Sequence, residues 1–370
     1  MDNAAGKHIV ISAVNIRKGG TLTILRECLQ YLSFRKDLRV TAVVHDRSLC
    51  DYPGIDYIEI PWSIQSWAKR IKCEYFTLRR ISDSFEAPAD LWFSLHDSTP
   101  RVAAARQAVY CHNPFPFMKA NLLDWKMNYK IPLFCMFSRY IYKAFVRRNS
   151  YLVVQQQWLR EGLAKITGLA LGKIIVAPPS APITDSFNTS QNNDRTVFFY
   201  PSFADRHKTF ETLLKASQIL QKRAGKGRFR TIITVKGDEN RYARWLKKQY
   251  GHIESIDFHG FVPREDLKEL YGKTNCLVFP SRVETWGLPI SEFLPSGKPM
   301  ILADLAYAHE TAAGAQRVAF FPCGNAEALA EKMAAVLEGD LSGFKPVGAV
   351  CPPPPTARSW EDIFDILLKQ

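Results

Sequence analysis

The sequence predicts an α/β protein of two successive domains, each a parallel sheet covered by helices on both faces. Three observations predict it. Short apolar runs alternate with segments of helical spacing along nearly the whole chain, the pattern of βαβ units. One polar stretch, PPSAPITDSFNTSQNNDR at residues 178–195, interrupts the alternation, which restarts beyond it. The length, 370 residues, suits two ordinary domains, each able to bury a core.

In chain order, residues 8–15 form an apolar strand, Lys18–Gly19–Gly20 the turn after it, and 21–32 a helix with Leu22, Leu25, Leu29 and Leu32 on one face. Further strands fall at 40–44, 57–60, 91–95, 108–111, 151–154 and 175–177. In the second half, strands at 196–200, 230–235, 256–259, 276–279, 298–303 and 318–321 alternate with helices at 207–223, 240–250, 263–271, 289–294 and 326–337. Pro263 can start its helix because an N–H is not needed there. The run CPPPP at 351–355 is a stiff spacer, and 359–368 reads as a helix with Ser359 as N-cap and Glu361 and Asp362 in its first turn. The expected division is 1–180 as the first domain, 181–195 as linker, 196–355 as the second domain, and 356–370 as a helix packing back on the first. Ligands of such sheets lie beyond the carboxyl ends of the strands.

Composition narrows the function. The net charge is +13, and residues 1–180 carry 25 Lys and Arg against 14 Asp and Glu. The basic excess therefore sits in the first half, which implies an anionic partner there or simply a solvated basic surface. No reading motif for nucleic acid accompanies it, and no nucleic-acid partner is expected. The eight cysteines form no C-x-x-C pair, no apolar run spans a bilayer and no secretory leader is visible, so a reduced, cytoplasmic protein is expected. The stretch LFCMFSRYIYKAFVRR, residues 133–148, places Leu133, Phe134, Phe137, Ile141, Ala144 and Phe145 at helical spacing among Arg139, Lys143, Arg147 and Arg148. It reads either as a core-facing helix or as one lying on an anionic membrane surface. His309 and Glu310 are adjacent rather than spaced as ligands on one helix face, and no metal site is expected.

The strongest chemical signal is SRVETWGLPISEFLPSGKP at 281–299. A strand ends, a loop with Gly287 follows, and a helix opens near Pro289. Amides of Gly287 and Leu288 at that opening suit an anion. Glu284 in the loop and Glu292 in the helix have seven residues between them, and carboxylates suit paired sugar hydroxyls. The plainer alternative makes Glu284 a solvated residue and Glu292 a helix stabiliser.

This stretch resembles the paired-glutamate motif of the retaining family 4 glycosyltransferases, whose fold is GT-B: two Rossmann-like domains facing each other across a cleft. The usual form, P-S-x-x-E-G-F-G-L-P-x-x-E-A-x-A-x-G-x-P, compares with PSRVETWGLPISEFLPSGKP at 280–299; Thr285 and Trp286 replace Gly-Phe, and Phe293 replaces Ala. His259, Gly260, Phe261 and Val262 resemble the segment whose backbone meets the nucleotide base, and Lys208 matches the lysine on donor phosphate. The arginine usual six residues before that lysine is Ser202 here, and Arg206 is the candidate to supply its charge. Lys18, Gly19 and Gly20 resemble the glycine loop near donor phosphate and acceptor. His112 in YCHNPFPF resembles the histidine near the transferred sugar; as a bare observation it is equally a satisfied loop histidine.

The resemblance implies transfer of a sugar, with retention and without a required metal or other cofactor, from a nucleotide-sugar donor to a glycan or lipid-linked acceptor of surface polysaccharide or lipopolysaccharide. Glu284, Lys208 and His112 would be catalytic. Arg206, Phe261, Val262, Thr285, Gly287, Leu288 and Glu292 would bind the donor. Replacing Glu284 or Lys208 by Ala is expected to cut turnover and leave the melting temperature nearly unchanged. The competing reading is a non-catalytic GT-B scaffold that binds nucleotide-sugar or glycan.

Overall fold

The computed structural model describes residues 6–179 and 195–369. In chain order the elements are β1 (Lys7–Ala13), α1 (Gly19–Ser33), β2 (Leu38–Val44), β3 (Asp56–Glu59), α2 (Trp67–Lys72), α3 (Leu78–Asp83), β4 (Ala89–Ser94), β5 (Ala104–Tyr110), α4 (Leu122–Met127), α5 (Lys130–Lys143), β6 (Tyr151–Val154), α6 (Gln157–Thr167) and β7 (Ile174–Val176). There follow β8 (Thr196–Tyr200), α7 (Phe210–Ala224), β9 (Phe229–Ile233), α8 (Arg241–Tyr250), β10 (Ile256–Phe258), α9 (Arg264–Lys273), β11 (Cys276–Phe279), α10 (Leu288–Phe293), β12 (Met300–Ala303), α11 (Ala306–Thr311), β13 (Val318–Phe321), α12 (Ala326–Glu338) and α13 (Trp360–Leu368).

Two compact units result. The first takes Met1–Pro116, Met136–Ser180 and Pro352–Gln370; the second takes Phe117–Cys135 and Ala181–Cys351. The sheet of the first runs β3-β2-β1-β4-β5-β6-β7 and that of the second β10-β9-β8-β11-β12-β13, with every pairing parallel. Both reverse their strand order in the manner of doubly wound nucleotide-binding sheets, between β1 and β4 and between β8 and β11.

In the first unit, successive residues of β1 serve opposite faces, as strand geometry demands. Ile9, Ile11 and Ala13 join the core under α1, while Val10 and Val14 join Leu78 and Trp92 on the other side. The terminal helix α13 belongs to the first of these cores. Its Phe364 stacks on Tyr31 at 5.7 Å and meets Phe93 edge-on at 6.0 Å. Ser359 caps it, accepting from Asp362 N at 3.1 Å.

The observed division departs from the expected one in two stretches. Residues 117–135, expected in the first domain, group with the second unit, because Asp124 of α4 is bonded there by Arg206 and Arg282. Residues 352–355, expected in the second domain, group with the first. Pro353 and Pro354 offer their carbonyls to Arg160, and Pro355 accepts from Val176 N at 3.1 Å. The expected linker, 181–195, lies outside the described residues except for its last position.

The basic apolar stretch forms α5, and it does not simply face a core. Leu133, Met136, Phe137 and Tyr140 are exposed, whereas Tyr142 is buried and Phe134, Ile141 and Ala144 are half-buried. No helix among the described residues is long and apolar enough to cross a membrane. All eight cysteines are free.

Candidate functional site

In the second unit, the strand-order reversal lies between β8 and β11, and the loops that leave these strands carry Lys208 and Glu284. After β8 the chain makes a 3-10 turn at Arg206–Lys208. The helix expected from 207 begins instead at Phe210, because Thr209 adopts a left-handed conformation, φ 44°. Thr209 Oγ1 donates to Pro280 O at 2.6 Å, and Arg282 N donates to His207 O at 2.8 Å. The buried Tyr200 hydroxyl donates to Lys208 O at 3.0 Å and lies 2.9 Å from Ser281 Oγ. Tyr307 holds Ser281 from the far side, donating to its carbonyl at 2.7 Å. Laced together in this way, the two loops set Lys208 Nζ 2.6 Å from Glu284 Oε1. Both side chains are largely withdrawn from water, so the attraction is less screened than at a surface.

Gly287 caps α10 with φ 89°. A Cβ there would also meet Ile290 Cδ1 at 3.3 Å and Phe279 Cε1 at 3.5 Å, so both conformation and space select glycine. Leu288 and Pro289 begin the six-residue helix, and Trp286 Nε1 donates to Ser291 Oγ at 3.1 Å. Thr285 is half-buried in the same loop. Glu292 is buried on α10, and its Oε2 accepts from the Tyr271 hydroxyl at 2.9 Å. Phe261 and Val262 follow β10; Phe261 is exposed and stacks on Phe203 at 6.3 Å.

Arg206 requires a correction. It was expected to meet donor phosphate, yet only 2% of its side chain is exposed. Its Nε donates to Asp124 Oδ1 at 3.0 Å, its Nη1 to Glu211 Oε1 at 2.8 Å, and its guanidinium lies 4.6 Å from the Tyr242 ring centre. Two carboxylates and an aromatic face have taken the charge that phosphate was to use. Ser202 does not replace it: its N–H donates to Thr234 Oγ1 at 2.8 Å, and its carbonyl accepts from the same hydroxyl at 2.9 Å. Tyr271, Asp124 and Arg282 were not picked out from the sequence. Arg282 lies two residues before Glu284 and was within reach of a closer reading. Asp124 offered only the capping-box spacing with Asn121 and no sign of its distant arginine partners.

In the first unit, Lys18 is the extended residue before α1, and Gly19 has φ 70°. Gly19 and Gly20, expected in a turn before a helix from 21, instead open α1 itself, and of the three only Lys18 precedes it in the connection from β1, beside the reversal in that sheet. His112 follows β5 and is not a satisfied loop residue. Its N–H donates to Asp97 Oδ1 at 2.6 Å, but neither ring nitrogen has a partner among the described residues. The ring lies 4.2 Å from that of Tyr110, and burial lowers its pKa to about 3. It is a neutral imidazole with two unused polar atoms. Asp97 itself is in the left-handed region, φ 72°, and burial raises its carboxyl pKa to about 6.

Residues 183–343 match the family model of the glycosyl transferases group 1. An O-antigen chain mannosyltransferase of Salmonella typhimurium, RfbU, is 24% identical over 178 residues, covering 47% of this chain and 48% of that protein. The chain thus aligns with about half the length of that relative. Among solved structures, sucrose-phosphate synthase from Thermosynechococcus elongatus superposes with a TM-score of 0.64 at 15% identity, covering 98% of this chain and 95% of that one. Anabaena HepE in complex with UDP and glucose gives 0.62 at 14% identity, covering 90% and 91%. At such identities the structures establish the fold, which is GT-B.

Proposed function

We propose, from a chain that belongs with the group 1, family 4-type glycosyltransferases, that it transfers a sugar with retention from a nucleotide-sugar donor to a glycan acceptor. The observation that carries this is the Lys208–Glu284 ion pair at the strand-order reversal of the second unit, where sheets of this kind bind nucleotides.

In this reading the donor diphosphate takes the Lys208 ammonium, with the amides of Gly287 and Leu288, and Glu284 turns to the sugar hydroxyls. Positive charge at that point favours departure of the nucleoside diphosphate. The bond from the anomeric carbon to phosphate oxygen breaks and the bond to the acceptor oxygen forms on the same face. The acceptor proton passes to the departing phosphate oxygen, so no separate carboxylate base and no metal are assigned. Glu292, steadied by Tyr271, holds the ribose, and the Phe261–Val262 backbone holds the base, with Thr285 nearby. Within the first unit, His112 is assigned to the transferred sugar and Lys18–Gly19–Gly20 to phosphate or acceptor, as the family resemblance implies.

The relatives' names point to surface-polysaccharide assembly, and a lipid-linked acceptor at the inner face of a membrane fits α5. Its exposed Leu133, Met136, Phe137 and Tyr140 are flanked by the exposed Lys130, Arg139, Lys143, Arg147 and Arg148. Apolar side chains beside cations suit an anionic bilayer surface. Sedimentation with vesicles containing phosphatidylglycerol at low salt is expected to carry the protein down, and Phe137→Glu to release it. Protein left in the supernatant would exclude this contact.

The activity is tested by offering UDP-, GDP- and dTDP-sugars with a glycan acceptor and reading the anomeric configuration of the product by NMR. Transfer with retention is expected; inversion would contradict the mechanism. The scaffold reading gains weight from Ser202 and the engaged Arg206. It predicts donor binding with neither transfer nor hydrolysis.

A further inference from the structure

Asp124 joins the two loops that carry the candidate donor residues, and it comes from a distant part of the chain. It is the third residue of α4 and fully buried. Its Oδ2 accepts from Asn121 N at 2.8 Å, completing the capping box that starts the helix. The same carboxylate takes Arg206 Nε at 3.0 Å and Arg282 Nη2 at 2.8 and 3.0 Å.

The spacing of these partners is informative. Arg206 is two residues before Lys208 in the loop after β8. Arg282 is two residues before Glu284 in the loop after β11. One carboxylate therefore fixes both loops at matching positions, each two residues before a member of the ion pair they present. Arg282 also reaches this part of the chain through longer contacts that fall before α4: Nη1 to Lys119 O at 3.5 Å and Nη2 to Met118 Sδ at 3.8 Å.

Electrostatics favours a single arrangement. Two guanidinium groups and Lys208 crowd this corner, and His207 between them is held neutral, its pKa far below the usual range through burial and the three cations. Without Asp124, the two arginines would repel across the gap between the loops, and Arg206 would keep only Glu211 as charge partner. A buried charge that loses its partner moves or recruits water. Either response shifts the residues two positions on.

We propose that Asp124 is a positioning residue: it clamps Arg206 and Arg282 and so sets the geometry in which Lys208 and Glu284 receive the donor diphosphate. The proposal rests on the donor reading given above and adds a residue to it.

The test is calorimetric titration with UDP, GDP and dTDP of four proteins: wild type, Asp124→Asn, Lys208→Met and the double variant. Asp124→Asn keeps the size of the side chain and an oxygen for the helix cap but removes the charge. It is expected to weaken diphosphate binding about tenfold or more, since small displacements of a binding group are costly. In the Lys208→Met background the same change should cost less than about twofold, because the group through which it acts is gone. If the two penalties multiply, Asp124 affects binding by a route that does not pass through Lys208 and the proposal is overturned. Unchanged affinity in Asp124→Asn overturns it too. A wild type that binds none of the three diphosphates sinks the donor reading and this proposal together. Should Asp124→Asn fail to fold, Arg282→Lys makes the same test, keeping the charge while losing the forked contact.

Discussion

Lys208 Nζ lies 2.6 Å from Glu284 Oε1 although 76 residues separate them in the chain. A parallel sheet brings them together: β8 and β11 are neighbours, and each residue sits in the loop that leaves its strand. The two groups neutralise one another, which keeps a largely buried ammonium and a largely buried carboxylate tolerable.

Lys208→Ala and Glu284→Ala should each cut turnover by about a hundredfold or more, as loss of a charge that stabilises a leaving group does. Where the sequence reading expects a nearly unchanged melting temperature, the ion pair predicts a loss of stability. Each single variant leaves an unpaired, largely buried charge and should cost about 2 kcal/mol of stability. The double variant Lys208→Met/Glu284→Gln should regain part of the stability and none of the turnover. Steady-state kinetics and urea unfolding of the three proteins check this. Turnover that survives both single changes contradicts the site assignment.

Gly287→Ala should be worse than Gly297→Ala. Both glycines have positive φ, 89° and 64°, but an added Cβ at Gly287 meets Ile290 and Phe279 while nothing lies within 4 Å at Gly297. Backbone strain alone costs about 1 kcal/mol, and crowding adds to it. Gly287→Ala should also weaken donor binding, because it disturbs the start of α10. Urea midpoints of equal size for the two variants would contradict this.

Tyr271→Phe tests whether Glu292 needs orienting. The hydroxyl 2.9 Å from Glu292 Oε2 is lost and the ring is kept. Loss of one hydrogen bond to a charged group predicts a rise in donor KM corresponding to about 1.5–3 kcal/mol, with kcat little changed. A fall confined to kcat would place Glu292 at the reacting atoms instead.

Acid should weaken the first unit. His96 and His112 are neutral when folded, with burial lowering their pKa values to about 4 and about 3. Unfolded, each takes a proton near pH 6.5. As pH falls below that value the unfolded state gains protons that the folded state refuses. Stability then drops by about 1.4 kcal/mol per histidine per pH unit. Asp97 opposes them. Its carboxyl, raised to about 6, holds a proton in the folded state between about pH 4 and 6, which favours folding as pH falls. Two groups outweigh one, so urea stability followed by probes in the first unit should decline from pH 6.5 to 4.5. His112→Gln should make the decline shallower. A flat profile in the wild type would show that these histidines are not held neutral.

What was legible in the sequence was local. The strand-to-helix signature at 280–299 placed Glu284, Gly287 and Glu292 correctly in a loop and the helix after it, because a turn glycine, a proline at a helix start and a preceding apolar strand all act over a few residues. Ser359 and its helix were readable for the same reason. The fate of Arg206 was not, since it depends on Asp124, 82 residues away, and no periodicity reports such a partner. Nor was the attachment of residues 117–135 to the second unit, which follows from that same buried carboxylate. The stripe at 133–148 had the spacing of a helix but not its orientation. Only solvent exposure separated its outward Phe137 and Tyr140 from its inward Tyr142.

The most direct measurement is a calorimetric titration of wild type and Lys208→Met with the nucleoside diphosphate that most raises the melting temperature. Tight one-to-one binding at a hundredfold excess over Kd should add about 2.7 kcal/mol of stability to the wild type, and Lys208→Met should lose most of the affinity while remaining folded. Equal affinity in the two proteins would contradict the central claim that the Lys208–Glu284 corner grips the donor.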